Sequence, residues 1–230
     1  MKKIIILLLA AIFCGAFSEV SAQRGIAAKL FKDQGTTNLY LGTNKTESAE
    51  GDLNKDGIKD LVIVEQFPDA SRTDKIAAFF AIYWGNADGN YKLYKYFQVD
   101  SLAHNVSASV TAKGVLRIAS DIFYDYIEDE GESGFYEEYS LVYMLRYQEN
   151  EFRLIGGTTW YHWERIPDLG CMIWHKSYNM LTNKAVISNC PMCDTDHPEV
   201  SNVAIKKLPL MKITDITIGT PMFDQFDLDN

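Results

Sequence analysis

Basic charge is in short supply in this chain: 22 Lys and Arg face 31 Asp and Glu, a formal net charge of −9. Nucleic acid and anionic membrane surfaces are held by basic patches, so neither is an expected partner. Familiar catalytic signatures are missing too: there is no Gly-rich phosphate loop, no G-x-S-x-G and no H-E-x-x-H. No catalytic residue is therefore assigned, and a binding or interaction module is expected rather than an enzyme. Beyond the first 22 residues no second apolar run is long enough to span a bilayer, so no membrane insertion of the mature chain is expected.

Cysteine is scarce, with four in all. Cys14 falls in a leader: Lys2-Lys3 form a basic start, residues 4–16 an apolar stretch, and Val20-Ser21-Ala22 a small-residue cleavage signal before Gln23. A lipoprotein anchor at Cys14 is disfavoured by bulky Phe13 just before it. Residues 1–22 thus read as a signal peptide and 23–230 as one exported domain, bound for the periplasm, cell surface or extracellular medium. Its loss removes two lysines and one glutamate, making the mature chain one unit more acidic. Cys171, Cys190 and Cys193 remain. An oxidising compartment favours one disulfide among them with one thiol left over, and spacing does not choose the pair. The Cys190-Pro191-Met192-Cys193 run, with Cys171 and His197, gives a lesser alternative, a thiol-redox or zinc protein. Zinc would need three thiolates, and no βαβ context accompanies the C-x-x-C.

The stretch Gly51-Asp52-Leu53-Asn54-Lys55-Asp56-Gly57-Ile58-Lys59-Asp60 carries the most information. Side-chain oxygens recur at Asp52, Asn54 and Asp56, then comes a glycine, then a fourth oxygen at Asp60. Calcium takes six to eight oxygens, and a glycine permits the sharp turn that wraps them around the ion. An EF-hand is excluded, since its twelfth position, counted from Asp52, is Ile63 rather than glutamate.

The pattern D-x-N-x-D-G-x-x-D followed at once by Leu61-Val62-Ile63-Val64 resembles the FG-GAP/VCBS calcium-loop repeat of integrin-type β-propellers. The resemblance implies calcium held by Asp52, Asn54, Asp56, Asp60 and the main-chain carbonyl of Ile58. It extends through Ile82-Tyr83-Trp84-Gly85-Asn86-Ala87-Asp88-Gly89-Asn90-Tyr91, so the unit covers about residues 50–97. A propeller repeats its blade four to eight times, whereas this loop occurs once; a single unit within another β fold is expected, not a full propeller. Tyr147-Gln148-Glu149-Asn150-Glu151-Phe152-Arg153-Leu154-Ile155-Gly156 and Tyr178-Asn179-Met180-Leu181-Thr182-Asn183-Lys184 are similar to a group of secreted bacterial proteins of uncharacterised function, many from Bacteroidetes. The calcium is expected to be structural: it relieves repulsion among three crowded carboxylates, and an ion that binds only the folded form stabilises it by mass action.

Elsewhere the pattern predicts a mainly β chain of antiparallel sheets with one short N-terminal helix at 24–32. Residues 36–50 read as polar lead-in. Strands are expected at 61–66, 76–84 and 91–99, a hairpin at 106–110 and 115–118, and another at 139–147 and 152–155, ended by Gly156-Gly157. Short strands follow at 172–176, 178–181 and 185–189, with a closing one at 203–206. Residues 121–138, dense in Asp and Glu, read as a mobile acidic loop. It offers the carboxylates for a rival reading, a carbohydrate-active hydrolase. The Trp160-Tyr161-His162-Trp163 cluster could present Trp160 or Trp163 as a stacking platform for a glycan. The partner, protein or glycan, is not named by these residues.

Overall fold

Alternating apolar and polar residues build nearly every element of the computed structural model, which describes residues 45–68, 76–99, 105–127, 134–166, 170–191 and 195–220. These belong to the second of the chain's two compact units, Gly42–Asn230; the first, Met1–Leu41, lies outside the described residues, and with it the expected leader and the helix at 24–32. Residues 221–230 lie outside them as well. Within them the protein is mainly β, with no α-helix and only a short 3-10 turn, Ile213–Asp215.

Two antiparallel sheets form. The first joins β1 (Lys45–Gly51), β2 (Asp60–Pro68), β3 (Ile76–Gly85) and β4 (Tyr91–Val99) in simple chain order. The second comprises β5 (Asn105–Val110), β6 (Val115–Ile127), β7 (Gly134–Gln148), β8 (Glu151–Ile166), β9 (Gly170–Asn179), β10 (Lys184–Pro191) and β11 (Glu199–Ala204), again each beside its chain neighbour. Both are meanders, and neither closes into a barrel. One apolar core lies between them: Val62, Val64, Phe80 and Ile82 from the first sheet pack with Leu116, Ile118, Leu141, Tyr143, Leu145, Phe152 and Leu154 from the second. Period-2 alternation places these residues on a single inner face of each sheet.

Polar and aromatic groups fix how the sheets meet. The Gln66 side chain, fully buried on β2, donates through Nε2 to the Val106 carbonyl at 2.7 Å and accepts the Val106 amide at 3.3 Å. At the far side Trp84 of β3 and Tyr94 of β4 pack against Tyr147 of β7 and Phe152 of β8, with ring centroids 4.5–6.0 Å apart. The Tyr94 hydroxyl donates to the Asn150 carbonyl at 3.0 Å, and Lys95 pairs with Glu151. Tyr143 then ties down the C-terminal segment: its hydroxyl donates to the Thr220 carbonyl at 2.6 Å and accepts the Gly219 amide at 3.2 Å. Burial pushes that phenol well above its ordinary range.

Several expected boundaries are corrected. Residues 45–50, read as lead-in, belong to β1, because the partner strand β2 supplies the ladder that a polar sequence does not advertise. Gly156-Gly157 does not end the hairpin; β8 runs on to Ile166. The glycines are there for close approach: a Cβ on Gly157 would lie 2.2 Å from the Val142 carbonyl oxygen, beside the register shift at Met144/Leu145. The segments 172–176 and 178–179 merge into β9, and residues 180–181 belong to the turn that follows it. Most of the supposed acidic loop is strand: β6 extends to Ile127 and β7 begins at Gly134, leaving 128–133 outside the described residues. Ile122 and Tyr139 carried the alternation, masked by the carboxylates around them.

Candidate metal centre

The loop between β1 and β2 is anchored at both ends by burial. Leu53 is fully buried in the core beneath the loop, and Asp60, at the first position of β2, is likewise 0% exposed. Asp60 works as a bracket. Its Oδ2 accepts the amides of Leu53 at 2.8 Å and Asn54 at 3.4 Å, while Oδ1 accepts the amide of Gly85 at the end of β3 at 3.0 Å. One carboxylate thus fastens the loop to the third strand.

Above it the remaining oxygens turn inward on their own backbone. Asp52 accepts the amides of Asp56 through Oδ1 at 3.1 Å and Gly57 through Oδ2 at 3.0 Å. Asn54 Oδ1 accepts the Asp56 amide at 3.0 Å, and Asp56 Oδ1 accepts the Ile58 amide at 2.8 Å, two successive Asx turns. Asn54 Nδ2 donates to Asp56 Oδ2 at 2.9 Å. Lys55 and Gly57 both take left-handed backbone, φ 65° and 85°, which lets the chain coil tightly enough to bunch these side chains. The β5–β6 turn closes the floor: a Cβ on Gly114, φ 70°, would sit 2.4 Å from the Asp52 carbonyl oxygen. Gly114→Ala is therefore expected to cost well over about 1 kcal/mol, read as a lowered urea midpoint; an unchanged midpoint would mean that the turn does not press on the loop.

Hydrogen bonds link Asp52, Asn54 and Asp56 within one coil, and an oxygen accepting one hydrogen bond keeps a lone pair for a hard cation. Asp60 stands apart from that cluster, occupied by three amides, and among the described residues no group of three Asp, Glu, His or Cys side chains converges on one point. Its electrostatics are nonetheless telling. Burial first, and the Asp56 charge in addition, push its pKa above the ordinary carboxylate value against the pull of the three amides, and no cationic side chain is among the influences on it. Lys59, next in sequence, points to Glu50 at 3.4 Å instead. A raised folded-state pKa means that the folded protein binds a proton more tightly than the unfolded one. In chelator, Asp60 therefore contributes stability below the ordinary carboxylate pKa that is lost as pH rises through the raised value. Asp60→Asn should remove that slope while costing about 1–3 kcal/mol for amides left without an acceptor. Melts against pH check this, and an unchanged slope would contradict it.

Other predicted site residues are more dispersed. Trp160 and Trp163 lie on opposite faces of β8, as alternation requires, so they form no common platform. Trp160 sits on the outer face beside His162, ring centroids 5.8 Å apart, and Tyr136 packs on His162 at 5.6 Å. On the inner face a row not singled out in the sequence crosses three strands: Tyr139 to Tyr161 at 4.7 Å, Tyr161 to Trp174 at 5.0 Å, with the Lys176 ammonium 4.8 Å from the Trp174 ring centre. Each ring of that row already packs on the next. Of the carboxylates weighed for hydrolysis, Asp121, Glu137 and Glu138 are each taken up by a neighbouring side chain. Glu137 takes the Tyr139 hydroxyl on the inner side, and Glu138 takes the Tyr136 hydroxyl on the outer side. Asp121 accepts from Ser140 Oγ at 2.8 Å and Asn105 Nδ2 at 3.3 Å.

Cys171 is disulfide-bonded, with its sulfur 3.6 Å from His162 Nε2, and Cys190 is a buried free thiol. Cys193 lies outside the described residues. A disulfide at Cys171 leaves no three-thiolate zinc set in this state, and His197 is exposed. Comparison of the chain with protein-family models, with curated proteins and with solved structures finds no match.

Proposed function

We propose that this chain is an exported β domain whose 52–60 loop binds one calcium ion as a structural staple, and that the domain acts as a binding module for a protein or glycan rather than as an enzyme. The observation that carries the calcium reading is Asp60: a fully buried carboxylate with no basic partner and with the negative charge of Asp56 acting on it. A divalent cation held by Asp52, Asn54 and Asp56 with the Ile58 carbonyl would offset that negative field, and Asp60, the family's remaining ligand, would join it only by releasing an amide. The FG-GAP-like spacing supports the same choice of ion, and the leader-like first 22 residues support delivery to a calcium-rich compartment. The binding-module reading is supported by the carboxylates of 121 and 137–138, each engaged by a neighbouring side chain rather than paired across a cleft. Thermal melts in calcium and in chelator test the staple: a calcium-dependent rise supports it, and coincident curves would remove it. A glycan and protein-ligand screen on calcium-loaded protein then tests the module.

A further inference from the structure

Where β7 ends and β8 begins, cations are aligned with fewer anions to match. Arg146 on β7 is the registered partner of Arg153 on β8, and Arg153 is bridged on its other side to Lys212 of the C-terminal segment. Registered partners in an antiparallel ladder send their side chains to the same face. Leu145 and Leu154 beside them point into the core, so the three basic side chains stand in one row on the outer face. Arg117, the partner of Met144, adds a fourth positive charge on that face one strand further along.

A single acid, Glu149, pairs within this row. Arg153 is held in place, Nη1 donating to the Leu210 carbonyl at 3.0 Å and Nη2 to Glu149 at 3.2 Å. Glu149 is largely exposed, and Glu151, the other acid nearby on that face, is paired with Lys95. The Nε–H groups of both arginines are buried and bond nothing, and among the described residues the Arg146 side chain makes no hydrogen bond or ion pair. Like charges directly opposed across a ladder destabilise it, and a buried N–H without an acceptor adds to that cost. In a chain with a net charge of −9 such an arrangement is not a by-product of general basicity.

We propose that Arg146, Arg153 and Lys212 form a binding site for a doubly charged oxyanion, phosphate or sulfate, either free or as an ester. A tetrahedral dianion matches the row because it accepts from two planar forks and an ammonium at once and carries the charge to offset them. None of these three side chains is among those assigned to calcium in the 52–60 loop.

The experiment follows the arginine Nε–H resonances of the folded chain by NMR while inorganic phosphate, inorganic sulfate or a hexose 6-phosphate is added at constant ionic strength in sodium chloride. The Arg146 and Arg153 peaks should shift saturably, and Arg146→Gln should weaken binding by about tenfold or more. Lys184→Gln, an exposed lysine on β10, should leave it unchanged. Similar affinities for all three anions mark recognition of the anion itself, and a hexose phosphate held at least about tenfold tighter marks an ester site. The proposal is overturned if neither Nε peak moves at millimolar anion, or if the two variants lose affinity equally.

Discussion

Phe152→Ala is expected to lower the unfolding free energy by about 3–5 kcal/mol, the usual cost of deleting a fully buried aromatic ring. Phe152 is 0% exposed and touches both sheets through one side chain: its ring lies 5.3 Å from Tyr147 on β7 and 6.0 Å from both Trp84 and Tyr94 on the first sheet. Removing it opens a cavity at the contact that fixes how the sheets pack. For a domain of this size the melting point should fall by roughly 6–20 °C. Phe152→Leu keeps most of the volume and should cost less, about 1.5 kcal/mol. Urea unfolding of the three proteins gives the numbers. A loss below about 1 kcal/mol for alanine would mean that the two sheets do not share this core.

Calcium is expected to have the next largest effect. Extracellular calcium modules bind with Kd on the order of 10⁻⁴–10⁻³ M, so about 10 mM calcium stabilises the folded form by about 1.4–2.7 kcal/mol, or roughly 3–10 °C at this chain length. Asp56→Ala should abolish that increment. It also removes the acceptor for the Ile58 amide and for Asn54 Nδ2, so its melt in chelator should already be slightly lower. The informative quantity is the difference between calcium and chelator for each protein, which cancels the local loss. Asp56→Asn retains an acceptor for the Ile58 amide while removing charge, and should keep the chelator value but lose most of the calcium increment. A full increment in either variant would show that the stabilising ion sits elsewhere.

The sheet architecture was legible in the sequence wherever alternation was strong. The runs at 61–66, 76–84 and 91–99, and the hairpin through Glu149-Asn150, appear where they were expected; the turn takes φ 52° and 60° at those two residues, the backbone that a tight hairpin asks for. β1 was not legible, because Lys45–Gly51 is mostly polar and its strand character comes from β2 beside it. The glycine pair at 156–157 misled for the opposite reason: glycine punctuates a strand, but it also admits a close backbone neighbour, and only the fold distinguishes the two. At the loop, the pattern located Asp52, Asn54 and Asp56 together, yet gave no sign that Asp60 is committed to the amides of Leu53, Asn54 and Gly85. That role depends on β3, 25 residues further along the chain. The Arg146–Arg153–Lys212 row was illegible for the same reason, since register across strands brings it together.

The most direct measurement is calorimetric titration of calcium into chelator-stripped protein, run in parallel on the wild-type chain and Asp56→Ala. One calcium per chain, with binding lost in the variant, is the predicted result. No heat of binding to the wild-type chain, or equal binding to both, would contradict a calcium ion held by the 52–60 loop.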